Sequence, residues 1–196
     1  MNNSIERVKQ AIEAVVAKSS VPEDPLHSKN TLAWLLRLKP AADEALQIAA
    51  LGHDIERAIE RRKVRRADFD DYDEFKAAHA RNSALVLKEI MQNCGLPTAI
   101  ADDVCQLVCR HEVGGDDRCD LLKDADSISY FDVNLPFYFE RKGYAETLRR
   151  TIWGYRRLSA GARDLARSIT YETESLNILL REAFLAADNG QSNQDA

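Results

Sequence analysis

Apolar residues recur along this chain every three or four positions, the spacing of one face of a helix. Ile5, Val8, Ile12, Val15 and Val16 form the first such stripe and predict a helix over Ser4 to Lys18. Asp24-Pro25 reads as a cap followed by proline at the first helical position, opening a helix that Lys39-Pro40 stops near Leu38. The next helix is predicted over Ala41 to Ile59. From Leu46 to Leu51 it is apolar on nearly every side, the mark of a buried helix. Tyr72 to Asn93 follows, ended by Gly95 and Pro97. Thr98 opens a helix whose stripe is Ile100, Val104, Leu107, Val108 and His111, and Gly114-Gly115 ends it. Asp116 or Asp117 caps another helix through Phe131, and Asn134-Leu135-Pro136 is a break. A short helix over Phe137 to Lys142 is closed by Gly143, and two long ones cover Tyr144 to Leu158 and Ala162 to Ala187. The expected fold class is all-α, a single-domain bundle of about eight to ten helices over residues 1–187 with a flexible polar tail at 188–196.

Composition agrees with that pattern. Apolar residues make up 45% of the 196 positions, enough for a sizeable core, while Gly (8) and Pro (5) are scarce. A net charge of −5 argues against a general nucleic-acid binder. No apolar stretch is long enough to span a membrane, and the first residues show no signal-peptide pattern, so a cytoplasmic location is expected. The four cysteines match no standard zinc spacing and are expected to be reduced thiols.

The chemistry lies in the histidines. There are only four, His27, His53, His79 and His111, and each falls on the inward face of a different predicted helix. Inward acids join them: Asp54, directly after His53, and Asp124, aligned with Leu121 and Ile128. Imidazole and carboxylate are the usual ligands of divalent transition metals. Six such groups suit two ions about 3.5–4 Å apart, with Asp54 as the bridging carboxylate. The helix leaving Asp54 places Arg57 within one turn of this site and Arg61 a turn further on, as candidate phosphate contacts. Arg61, Arg62, Lys63, Arg65 and Arg66 crowd the following segment, which reads either as a solvated charged loop or as a lid.

The order His27, His53-Asp54, His79, His111, Asp124 resembles the HD-domain superfamily of metal-dependent phosphohydrolases. Leu51-Gly52-His53-Asp54-Ile55 resembles the family's His-Asp core, His79-Ala80-Arg81-Asn82-Ser83-Ala84 its third motif, and Leu122-Lys123-Asp124-Ala125-Asp126-Ser127 its closing segment. The resemblance covers about residues 26–131 and is greatest to small stand-alone bacterial hydrolases. No regulatory domain and no Gly-Tyr-Pro motif of the cyclic-di-GMP branch is present.

The resemblance implies an all-α bundle with its ligands on inner helices. His27, His53, Asp54 and Asp124 carry over as ligands of a main metal. His79 and His111 bind a second ion or hold and protonate a substrate phosphate, so Asp54, His79 and His111 are the expected catalytic set. Asp126 either shuttles a proton or orients a ligand histidine. The cofactor would be one or two divalent ions among Mn, Co, Ni, Fe, Zn and Mg. The substrate would be a small phosphate ester such as a nucleotide, hydrolysed by a metal-activated water. Two other functions fit the same ligands: a mixed-valence di-iron oxygenase and a non-catalytic module.

Overall fold

The first helical stripe does form a helix, α1 (Asn2–Val16), with Ile5, Val8, Ile12 and Val16 buried. The computed structural model of the chain describes residues 2–192, and those residues are all-helical, with no strand among them. The described residues fall into two compact units that divide between residues 125 and 126.

In the first unit, α2 (Asp24–Leu38) carries Pro25 in its first turn. Asp24 is itself the first helical residue and Glu23 the cap, one position earlier than the sequence suggests. α3 (Glu44–Gly52) is the unit's axis, with every residue from Ala45 to Gly52 buried except Gln47. It packs against α1, α2 and α5 (Thr98–Arg110). α4 (Tyr72–Asn93) lies along α5.

α3 is much shorter than the predicted span of Ala41 to Ile59. Its start is set by Asp43, whose side chain accepts the Leu46 N–H at 3.0 Å, an N-cap that leaves Ala41 and Ala42 outside the helix. Its end is set at Gly52. His53 and Asp54 form a turn, with Asp54 at φ −104°, ψ 11°, in the sparsely populated bridge region. A single 3₁₀ turn, Ile55–Ala58, follows, and Ile59 is extended. The His-Asp pair therefore sits where the chain leaves a buried helix.

Gly52 is required by packing at this point. A Cβ there would stand 2.5 Å from Leu87 Cδ2 on α4, and Leu87 is fully buried. The missing side chain lets the end of α3 approach α4, the helix that carries His79.

α6 (Asp117–Ser129) passes through one π-helical turn, Tyr130–Asn134, into α7 (Leu135–Arg156) in the second unit. The predicted break at Asn134-Leu135-Pro136 is thus a widened turn: Pro136 lies in the first turn of α7, where its missing N–H costs nothing. Gly143, at φ 73°, kinks α7 between the two segments the sequence separates.

The predicted helix over Ala162 to Ala187 is two helices, α8 (Ala160–Arg167) and α9 (Glu174–Ser192). Between them the Asn177 side chain accepts the Tyr171 N–H and donates to the Tyr171 carbonyl, both at 2.8 Å. Those bonds satisfy backbone groups that a continuous helix would have used, in a stretch where Ile169, Thr170 and Thr173 disfavour helix. Tyr155 of α7 stacks on Phe184 of α9 at 4.3 Å between ring centres. α9 runs past the predicted end of Ala187, so the expected tail is helical to Ser192; its residues 193–196 lie outside the described residues.

Substituting Gly52→Ala should force Leu87 out of its rotamer and destabilise the first unit by about 1–3 kcal/mol, the usual cost of overpacking. Chemical denaturation of the variant against the native chain measures it; an unchanged midpoint would mean that α4 accommodates the methyl freely.

Candidate metal centre

The four histidines come together as their inward faces predict. Each is buried, with exposures between 0 and 4%. They arrive from four places: His27 from α2, His53 from the turn after α3, His79 from α4 and His111 from the end of α5.

Backbone carbonyls set two of the four tautomers. His53 Nδ1 lies 2.9 Å from the Ala50 carbonyl and His111 Nδ1 2.7 Å from the Val108 carbonyl. A carbonyl only accepts, so each Nδ1 carries the proton and each Nε2 presents a lone pair inward. His53 Nε2 stands 3.2 Å from His27 Nε2, while His111 Nε2 is buried and makes no hydrogen bond. A buried imidazole nitrogen oriented this way, with its other nitrogen anchored, is the arrangement of a metal-ligating histidine.

Asp54 stands among them. Its Oδ1 is 3.8 Å from His53 Nε2, 4.0 Å from His111 Nε2 and 2.6 Å from His79 Nε2. Burial alone would raise the Asp54 pKa. The charged His79 and Arg57 beside it, with the His79 hydrogen bond, outweigh that and hold the carboxylate well below its usual range.

Ligand spacing allows a direct test of fit. Two atoms each ~2.1 Å from one ion and about 90–110° apart stand about 3.0–3.4 Å from one another, and opposite ligands about 4.2 Å. The His27–His53 separation falls in the first range, and the two Asp54–histidine separations of 3.8 and 4.0 Å lie inside the second limit. His53, Asp54 and His111 offer ligand atoms all within 4.8 Å of one another, and so do His79, His111 and Glu112. The donor set fits a divalent ion of the transition series.

His79 is differently placed from the other three. Its Nε2 faces Asp54 Oδ1 and its Nδ1 faces Glu56 Oε1, each at 2.6 Å. Burial opposes charge on the ring, but the Asp54 carboxylate and the bonds to both acids prevail and raise its pKa. Flanked by two carboxylates, it donates from both nitrogens and is an imidazolium.

Arg57 lies beside the site, as expected, but by another route. The predicted helix does not continue past Asp54; the 3₁₀ turn brings Arg57 back so that one nitrogen donates to Asp54 Oδ2 at 2.8 Å and another forms an ion pair with Asp24 Oδ1 at 2.9 Å. Arg61 lies beyond the end of that turn and is exposed. Its neighbours Arg62 and Arg65 pair with Glu89 and Glu60 at the surface.

Asp124 is buried on α6. Asp124 and Asp126 are two residues apart, about 200° around a helix, so they face opposite sides of α6. No cysteine belongs to a cluster of potential ligands among the described residues, and burial pushes the Cys119 thiol up to about 11.

Three residues escaped the sequence reading. Glu56 is fully buried and accepts from His79 and from the Val64 N–H at 2.7 Å, so it ties the loop after the 3₁₀ turn to α4. Glu112 lies 3.2 Å from His111 Nε2. Lys76, one turn before His79 on α4, forms an ion pair with Glu112. Lys76 and His79 share a helix face, a signal present in the spacing; Glu56, in a non-helical turn, leaves none.

A family model matches residues 6–179. The chain belongs to the family described as a domain of unknown function, DUF4202. Every histidine and acid of the DUF4202 site described above lies within the matched residues. No curated protein matches the chain, and no solved structure does. No helix among the described residues is long and apolar enough to cross a membrane.

Replacing Glu56 by Ala strands the Val64 N–H and removes one of the two acids that hold His79. The expected loss is about 3 kcal/mol, in the range for breaking a buried, hydrogen-bonded ion pair. Thermal and urea unfolding read it directly; a loss below about 1 kcal/mol would mean that water replaces the carboxylate.

Proposed function

We propose that this protein is a metal-dependent phosphohydrolase acting on a small phosphate ester, a nucleotide being the substrate class in view. One observation carries the reading. His53, from the turn after α3, and His111, at the end of α5, both turn Nε2 toward Asp54, with each ring anchored through Nδ1. A core histidine needs no such convergence, whereas a metal centre does. The resemblance of Leu51 to Ile55 and of the His79 segment to the HD-domain superfamily supports the same reading.

In this reading His53, Asp54 and His111, with His27 beside His53, would hold a divalent ion, which when bound supplies Lewis acidity and a water of lowered pKa. The chain's own residues do the rest. Asp54 provides the negative charge of the ligand set. Arg57 holds Asp54 in one rotamer and is itself braced by Asp24, so it is a positioning residue. His79 carries a proton at Nε2 next to Asp54 Oδ1 and can deliver it to a phosphoryl or leaving oxygen as a general acid. Its two carboxylate partners favour that role over metal ligation, which would require an unprotonated nitrogen.

The test is metal analysis of the purified protein, then a screen of phosphate esters with Mn²⁺, Co²⁺, Ni²⁺ and Mg²⁺. Hydrolysis that chelation abolishes and metal restores is expected; a protein that takes up no divalent ion overturns the proposal. Asp54→Ala should abolish turnover, because it removes the carboxylate of the ligand set. Activity within tenfold of native would make the His-Asp pair structural. Arg57→Ala should weaken metal binding about 10–100-fold through the freed Asp54 rotamer. Titration with a competing chelator measures that shift, and an unchanged affinity would remove Arg57 from the site.

A further inference from the structure

α7 has two unlike sides. Thr147, Thr151, Gly154, Tyr155 and Leu158 are buried and mark its inner face. The opposite side carries Arg149, Arg150, Trp153, Arg156 and Arg157, whose spacing makes one continuous face of the helix. None of these five is buried, and Arg149 and Arg156 are exposed. Between Glu146 and Asp164 the sequence holds five arginines, no lysine and no acid, in a chain whose net charge is −5. The overall charge hides a local concentration of the opposite sign.

Aromatic rings order these cations. The Arg150 guanidinium lies 4.4 Å from the centre of the Trp153 ring and 5.3 Å from that of Tyr130, and Arg157 lies 4.4 Å from Trp153. Tyr130, Arg150, Trp153 and Arg157 form an alternating series of rings and guanidiniums. α8 adds Arg163, which lies over the Tyr155 ring at 5.4 Å and donates to the Arg156 carbonyl at 3.3 Å. At the start of the face Arg149 pairs with Glu146. A guanidinium held on a ring keeps its charge and loses less side-chain freedom when it binds a ligand.

We propose that this arginine–tryptophan face of α7 binds a single-stranded nucleic acid. Arginine presents a planar fork that matches two phosphate oxygens, which a lysine does not. An acidic peptide or a duplex would use the charges but not the half-exposed indole, because neither presents unstacked bases. A single strand uses both: its phosphates meet the guanidiniums while its splayed bases stack on rings and guanidinium planes. The inference is independent of the metal-centre reading, whose residues all lie outside α7 and α8.

The experiment titrates the full chain into a fluorescein-labelled oligouridine of about 15 nucleotides and reads fluorescence anisotropy between about 50 and 200 mM NaCl. A denaturing gel after each titration checks that the probe is intact. Native protein should bind, with log K falling by about 3 per tenfold rise in salt, the value for four or five phosphate contacts on a single strand. Arg156→Ala should reduce that slope by about 0.7, and the Arg150→Ala, Arg157→Ala double variant by about 1.4. Trp153→Leu should keep the slope and weaken binding about tenfold, the loss of one stacked base. Arg181→Ala, at an exposed position of α9, should leave binding unchanged. A blunt duplex, polyglutamate and phosphatidylserine vesicles should each bind more weakly than the oligouridine.

Arg156→Ala leaves the packed rings untouched, so it tests the inference even where the other variants lose their helical circular dichroism. No binding at the lowest salt, an unchanged slope in Arg156→Ala, or an unchanged affinity in a folded Trp153→Leu overturns the inference. So does a duplex bound as tightly as the single strand. Tighter binding of polyglutamate or of the vesicles overturns it too, and assigns the face to an acidic protein or to a membrane surface.

Discussion

The carboxylate of Asp54 is the constraint around which the first unit is arranged. An ionised acid at the end of a buried helix is tolerable only when cations and donors surround it. Here the chain brings His79 from α4, Arg57 from the following turn and His53 from the preceding residue, with His111 close by. Each approach depends on a local feature of the backbone. α3 must stop at Gly52, the turn must hold Asp54 in the bridge region, and α4 must pass close enough for His79 to reach.

Around Asp54 the charges alternate. Asp24 meets Arg57, Arg57 meets Asp54, Asp54 meets His79, and His79 meets Glu56. Lys76 and Glu112 form a further pair beside His111. Such a network is stable when every member is satisfied and costly when one is lost, so it favours a single arrangement of the surrounding helices. The Nδ1 atoms of His53 and His111 are anchored outside it, on the Ala50 and Val108 carbonyls, which turns both Nε2 atoms inward.

The helices of the second unit are held by apolar and aromatic packing, with Tyr155 against Phe184 and Phe131 edge-on to the same ring. Its departure from the sequence expectation is the break between α8 and α9. There the Asn177 side chain substitutes for backbone partners, a competition that hydropathy patterns do not register.

Residue spacing alone was enough to determine the helical class, the inward orientation of all four histidines and the burial of the helix that leads into His53-Asp54, but not that this helix stops at Gly52. These are local properties: a helix face repeats every 3.6 residues, and membership in it is readable from nearby positions. What depended on tertiary structure was partner choice. Glu56 reaches His79 across 23 positions of chain, and Lys76 reaches Glu112 from a different helix. Arg57 found two acids by way of a 3₁₀ turn that no periodicity announced. Asp124, aligned with an apolar stripe, proved buried on α6. A stripe states that a side chain points inward; what it meets there depends on helix crossing, on where each helix ends and on rotamers chosen in the packed state.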